Sequence, residues 1–216
     1  NDMIRIGDWI TVPAYGADGD VIDIKLQTVT IQNFDKTIVS VPIYSLVSSS
    51  FKNWRGMSDS DGRRIKRHIS IDMNSIKFCS PEMIERFKKI DILGEYITGK
   101  QQEIDEDNIN KKANTSELIN GRRMTNLGVF RAYIEACLRG NPQISDNNTF
   151  LIRQLQPSNK GIALEIYVFS SDQNWVNYEG IQADIFDHLL AAVSYFDLAV
   201  YQTPSGLDLR QGIYHP

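Results

Sequence analysis

Two cysteines, three histidines and no long apolar run set the first limits on this sequence. Cys79 and Cys137 lie far apart in apolar segments, which fits reduced, packed thiols better than the disulfide framework of a secreted module. His68, His188 and His215 share no metal-ligand spacing with one another or with a cysteine. No stretch approaches the ~20 apolar residues that a membrane span needs. The opening Asn1-Asp2-Met3-Ile4-Arg5 does not read as a signal peptide and lacks a natural start, so a fragment of a longer protein is expected. Strong charge of one sign is also missing. The 23 Lys and Arg against 27 Asp and Glu leave a net −4, which gives no electrostatic reason to expect a nucleic acid, whose affinity comes mainly from phosphate neutralisation.

Two motif readings fail for lack of a residue. The loop at 15–20 has neither the Lys-Ser/Thr of a P-loop nor the third glycine of a dinucleotide fingerprint. The acidic run in 103–107 is no EF-hand, because the glycine is missing and Ile109 stands where an oxygen ligand belongs. These absences lead to an expectation of no catalytic residue, no cofactor, no metal, no nucleic acid and no small-molecule substrate.

What the 216 residues do contain is an ordinary globular balance, 42% hydrophobic and 23% charged, enough for one large or two modest domains. Residues 20–54 alternate with period 2. Ile22, Ile24, Leu26, Thr28 and Thr30 share one face, Asp23, Lys25 and Gln27 the other, which reads as one half-buried strand. Asn33 and Asp35 supply turn chemistry, 37–41 returns, and Pro42 ends the second strand. Residues 3–12 read as a linker running into a short strand, and 15–20 as a turn.

Residues 55–62 read as a polar linker, so the expected division is 1–55 and 56–216. Arg63, Arg64, Lys66 and Arg67 lead into a strand carrying Ile69, Ile71 and Met73. That basic run reads as a charged edge strand. Ser80-Pro81-Glu82 opens a helix with an apolar face of Ile84, Phe87 and Ile90. Residues 94–121 read as a polar, partly flexible surface excursion. Thr125-Asn126 opens a helix that Gly140-Asn141-Pro142 stops. Strands at 149–156 and 161–169 form a hairpin around Pro157–Lys160. A long helix follows at 175–196, then a short strand at 198–201 and another at 207–209. The order β-α-β-β-α-β, with an inserted helix, is that of a ferredoxin-like split βαβ. Trp54 and Trp175 flank elements as core or interface anchors do, and Asp184 and Asp187 read as the wet face of the long helix.

The Gly7-Asp8-Trp9-Ile10 opening, the Gly19-Asp20-Val21 strand, the Thr-rich strand, the Asp35-Lys36 turn, the Val41-Pro42 strand end and the closing Asn53-Trp54 resemble, in order and spacing, the β-domain of the small-conductance mechanosensitive channel family. The likeness continues through most of the chain. The runs at 125–133 and 153–157 look closest to the YbdG-like miniconductance branch, while 94–121 departs from shorter members. The resemblance implies an all-β Sm-like small barrel of five bent strands, with a helical turn at 44–47 and a last strand at 50–54, followed by an α+β ferredoxin-like domain. It further implies a homoheptamer beneath a pore, on the cytoplasmic side of a bacterial inner membrane. The transmembrane helices would precede Asn1, and tension would gate solute release in hypoosmotic shock. Two alternatives use the same elements: an Sm-like RNA-binding ring, and a small-molecule sensor or enzyme on the ferredoxin-like half.

Overall fold

The computed structural model describes residues 3–204. The chain divides into two compact units, residues 1–62 and 63–216.

The N-terminal unit is a five-stranded antiparallel sheet in the order β4-β3-β2-β1-β5. Its strands are β1 (Trp9–Val12), β2 (Ala17–Ile24), β3 (Thr28–Asn33), β4 (Ile38–Pro42) and β5 (Lys52–Asn53), with helix α1 (Ile43–Ser48) between β4 and β5 and a single helical turn α2 (Arg55–Ser58) after β5. Among the described residues no pairing joins β4 to β5, so the sheet is open.

The region expected to be one long strand is two. Lys25 N–H donates to the Thr28 carbonyl at 2.8 Å and reverses the chain between β2 and β3. Alternation continues across that reversal, so the sequence pattern hides it. The burial phase is also opposite to the expected one. Ala17 and Val21 are buried on β2, and Val29 and Ile31 on β3, whereas Ile22, Ile24 and Leu26 are exposed. The register shifts between Val21 and Asp23, which breaks the alternation where the expectation was anchored.

The turn expected at 15–20 is shorter. A 3-10 turn at Pro13–Tyr15 closes on Gly16 in the left-handed region (φ 61°), and β2 begins at once. Gly19 is already in the ladder. A Cβ there would sit 2.0 Å from the Gln32 carbonyl oxygen, so only glycine lets β2 and β3 approach so closely. Ile10, Val12, Ala17, Val21, Val29, Ile31, Val41 and Leu46 form this unit's core.

The C-terminal unit has a three-stranded antiparallel sheet in the order β6-β8-β7: β6 (Arg63–Ile71), β7 (Leu151–Gln154) and β8 (Ile162–Ser170). The expected hairpin of β7 and β8 is present, with Ile152 opposite Ile166. Strand β6 is an edge for most of its length, as the charged run suggested. It ends at Ile71, and Met73 begins a 3-10 turn instead of extending it. The strand expected at 198–201 is a single bridge, Val200 to Ile71. The one expected at 207–209 lies outside the described residues.

The helices are α3 (Pro81–Lys88), α4 (Gly94–Asn110), α5 (Asn126–Arg139) and α6 (Trp175–Ala192). Ser80, Thr125 and Asn174 each cap a helix by accepting backbone N–H bonds, so α3, α5 and α6 start near where their capping residues predict. Residues 94–121, expected as a polar and partly flexible excursion, are for the most part helical. Their first part is the 17-residue helix α4, held by Ile97 and Ile104, two turns apart and both buried. Two apolar anchors in a polar helix give almost no periodic signal. Phe87, Phe130 and Phe196 meet at the centre of the core, with ring centroids 5.1 Å apart from Phe196 to each of the other two.

Candidate functional site

The structure draws a polar cluster together where the chain leads into the N-terminal sheet. Gly7 takes a positive φ of 90°, and the turn it makes returns the Asp8 N–H to the Arg5 carbonyl at 3.1 Å. Gly7 N–H donates to the Val21 carbonyl, and Val21 N–H to that of Asp8, so the ladder of β1 and β2 reaches back to this turn. Asp8 is only 8% exposed, and a buried carboxylate needs partners for its charge. It has four. Arg55 Nε donates to Oδ1 at 2.9 Å and Arg55 Nη2 to Oδ2. Arg5 N–H and Asn53 Nδ2 also donate to Oδ2, at 2.8 and 3.0 Å. Asn53 Nδ2 reaches the Met3 carbonyl as well, and Asn53 Oδ1 accepts from Arg55 N–H. The Arg55 side chain is itself about three-quarters buried. These bonds, led by the Arg55 fork and opposed by burial, hold the Asp8 carboxyl down at about 2.

A ring cluster stands beside this pair. Trp9 and Trp54 stack with centroids 4.5 Å apart, and Phe34 packs edge-on against Trp9. Trp54 Nε1 donates to Thr11 Oγ1, while Trp9 Nε1 and the Thr11 hydroxyl both donate to Asp18 Oδ1. Trp9 and Trp54 thus stack on each other. The sequence brings Gly7-Asp8 and Asn53-Trp54 forward only as motif ends. The signal that joins them is an acid set just before a strand and an arginine just after the strand that pairs with it.

The same unit leaves apolar side chains outside. Ile22, Ile24, Leu26, Ile38, Tyr44 and Val47 are all exposed, Leu26 by 94%. Strands β4 and β5 form the edges of the sheet.

In the C-terminal unit the basic run is distributed over both faces of β6. Arg63 and Arg67 lie 4.4 Å above the rings of Tyr178 and Phe186 on α6, Arg64 lies over Tyr167, and Lys66 pairs with buried Glu165, which also holds Arg153. These cations cover rings and one carboxylate of their own unit, a structural use.

Cys79 and Cys137 are both partly buried. Burial, reinforced by the nearby Asp197 charge, pushes the Cys79 thiol up to about 11, away from nucleophilic use. His188 is exposed on α6 and bonds the Tyr133 hydroxyl at 2.6 Å, while His68 is exposed on β6. His215 lies outside the described residues.

Two clefts, of about 410 and 510 Å³, share Cys79, Pro81 and Arg123 in their walls. The charged groups of the first are engaged internally. Arg122 bonds Glu103, Lys88 bonds Glu85, and Arg123 donates to the carbonyls of Thr115, Glu117 and Leu118. Among the described residues no three of His, Cys, Asp and Glu gather as a metal site, and no helix is long and apolar enough to cross a membrane.

Comparison with known proteins bears on the same N-terminal unit. Residues 1–56 match the family described as mechanosensitive ion channel, β-domain. Uncharacterised MscS family proteins from two strains of Helicobacter pylori are each 33% identical over 91 residues, 39% of this chain and 14% of theirs. Among solved structures, Arabidopsis thaliana MSL1 aligns over 94% of this chain and 54% of its own with a TM-score of 0.56 at 16% identity. Helicobacter pylori MscS in a closed state aligns over 95% and 59%, with a TM-score of 0.52 at 12% identity. At such identities the likeness is one of fold. The chain spans a small part of the curated relatives and a little over half of the solved chains.

Proposed function

We propose, from the premise that residues 1–56 are the β-domain of a mechanosensitive ion channel family, that this chain is the part of an MscS-like channel that lies beneath the pore and brings no chemistry of its own. The matched family is one of ion channels, not enzymes. The observation that carries the reading is the β-domain match over an antiparallel sheet, in a chain whose fold aligns with MscS-type channels over nine-tenths of its length.

In this reading the N-terminal unit is an Sm-like open barrel, supported by the order β4-β3-β2-β1-β5. The C-terminal unit is a ferredoxin-like domain. The order β6-β8-β7, with Val200 bridging Ile71 on the far side, supports a fourth strand reduced to one bridge. The domain limits are 1–55 and 56–216, with the linker 56–62 assigned to the second domain although it clusters with the first compact unit. The chain assembles as a homoheptamer, and the exposed apolar residues of β2, β4 and α1, with two free strand edges, support self-association. Transmembrane helices outside this chain carry it in a bacterial inner membrane with these units on the cytoplasmic side, and tension opens the pore to release solutes in hypoosmotic shock. The branch is the YbdG-like one, supported by the runs at 125–133 and 153–157. Neither an RNA-binding ring nor a small-molecule sensor is favoured by any observation on the chain.

Patch-clamp recording of the full-length protein in a host without other mechanosensitive channels tests this. Suction-activated currents are expected. Their absence at tensions that rupture the patch, in membranes where the protein is detected, would overturn the reading. Native mass of the 216-residue chain tests the ring: seven copies are expected, and a stable dimer would contradict it.

A further inference from the structure

We propose that the ion pair of Asp8 and Arg55 fastens residues 3–8 to the five-stranded sheet so that the two move as one body, which makes both residues positioning residues for gating; the gating part rests on the channel reading above. The geometry carries the fastening by itself. The Asp8 carboxylate is buried and receives donors from both sides of the junction: Arg5 N–H from the lead-in segment, Asn53 and Arg55 from the end of the sheet. Asn53 bridges the same two parts through the Met3 carbonyl. A planar guanidinium that grips both oxygens of one carboxylate resists rotation as well as separation, which a single point contact does not. In the neighbouring ladder, Gly7 N–H to Val21 and Trp54 N–H to Trp9 lock the backbone on either side. A buried pair of this kind is held strongly against the loss of one partner, because the remaining charge is left without compensation.

The consequence for a channel follows from how two states are weighed. If the segment entering the sheet is pulled or rotated when the pore opens, a fastened sheet must follow, and its resistance to rearrangement is part of the work of opening. Released, the segment moves without the sheet, and that part of the work disappears. The direction is therefore fixed: weakening the pair lowers the tension at half-opening and leaves the single-channel conductance alone.

Two measurements test this. Hydrogen exchange on the 216-residue chain reads the fastening directly. In Asp8→Asn, which keeps the shape but removes the charge and one acceptor, the amides of Arg5 and Gly7 are expected to exchange about tenfold faster or more, the scale of a lost charge-assisted bond. Val29 and Ile31, in the same sheet, keep their rates. Arg55→Lys, which keeps the charge and loses the fork, falls between. Unchanged rates at Arg5 and Gly7, or equal acceleration through the whole sheet, would overturn the fastening. In patch clamp of the full-length protein, both variants are expected to open at lower tension with unaltered conductance, Asp8→Asn more than Arg55→Lys. An unmoved midpoint would overturn the gating role. A wild-type protein with no tension-activated current would overturn the channel reading, and exchange would still decide whether the pair fastens.

Discussion

Among the described residues, the N-terminal unit buries a core cluster of eight apolar side chains, none aromatic, while the C-terminal unit buries a cluster of twenty-eight, with Phe87, Phe130 and Phe196 in contact at its centre. The smaller unit keeps three of its rings, Trp9, Trp54 and Phe34, outside that cluster, tied by hydrogen bonds and stacking, and of its rings only Phe51, partly buried, packs against the cluster's margin. It also carries the buried ion pair of Asp8 and Arg55. A short chain encloses proportionally less surface, so a larger share of its order rests on directional bonds. The larger unit is ordered by packing; its buried Glu165 is met by Lys66 and Arg153 side chains that are about half exposed, and Asp197, which Lys77 and Arg86 share, is itself partly exposed. One polar substitution can therefore loosen the first unit locally, whereas the second yields mainly to loss of volume.

Loss of volume at the centre of the larger unit is the most disruptive change. Phe130→Ala empties the centre of the aromatic cluster and is expected to destabilise the C-terminal unit by ~3–5 kcal/mol. Urea unfolding followed by Trp175 fluorescence, in a variant with Trp9 and Trp54 replaced by Phe, reads that unit alone. A loss below about 1 kcal/mol would mean that the cluster collapses around the gap and that packing is not what orders this unit.

The next effect is one of pH and belongs to the smaller unit. The Asp8 carboxyl titrates at about 2 in the fold and at 3.8 when free. A depressed folded value means that the stabilisation is fully present above 3.8 and is lost as pH falls through about 2. Its full size is about 2 kcal/mol by linkage. Urea midpoints of the N-terminal unit, followed by Trp9 and Trp54 fluorescence, are expected to fall between pH 5 and pH 2 by more in wild type than in Asp8→Asn. Parallel curves for the two proteins would show that this carboxylate is not the group responsible. Asp197 is also held below its ordinary value by Lys77 and Arg86, so the C-terminal unit drifts in the same direction. There the carboxylate is partly exposed and solvent screens the effect.

How much was legible follows the same division. In the C-terminal unit, caps and periodicity placed α3, α5, α6 and the hairpin of β7 and β8, because Ser80, Thr125, Pro157 and their like act locally. Helix α4 leaves almost no local signal because only Ile97 and Ile104 anchor it, and its stability comes from what they pack against. In the N-terminal unit the alternation at 22–30 is real, but its apolar phase points outward. The exposed Ile22, Ile24 and Leu26 look like a core stripe to any rule that equates apolar with buried. The candidate site was the least legible part. Asp8 and Arg55 are 47 positions apart and meet only because β5 pairs with β1, a long-range fact that no local pattern carries. The family likeness supplied the order of the strands and the identity of the motif ends, but not which of them touch.

At the helix ends the two units differ by less. The C-terminal unit caps α3, α5 and α6 with side chains, while α1 follows Pro42 and α2 follows Trp54, neither with a side-chain cap. Thr125 accepts from Gly128 N–H at 3.1 Å, and its removal leaves that donor to find water at a partly buried position. Thr125→Ala is therefore expected to cost about 1 kcal/mol. The added fraying should appear as faster exchange at Leu127 and Gly128, the amides of the first turn. The buried Asn126 complicates the site usefully. Its side chain bonds Lys77 N–H and the Ser75 and Asp197 carbonyls, so it anchors the helix start from a second direction. If Asn126 does most of that anchoring, Thr125→Ala will speed exchange at Gly128 with almost no change in the urea midpoint. Start-of-helix order in this unit would then rest on one buried amide, as order at the start of the other unit rests on one buried carboxylate.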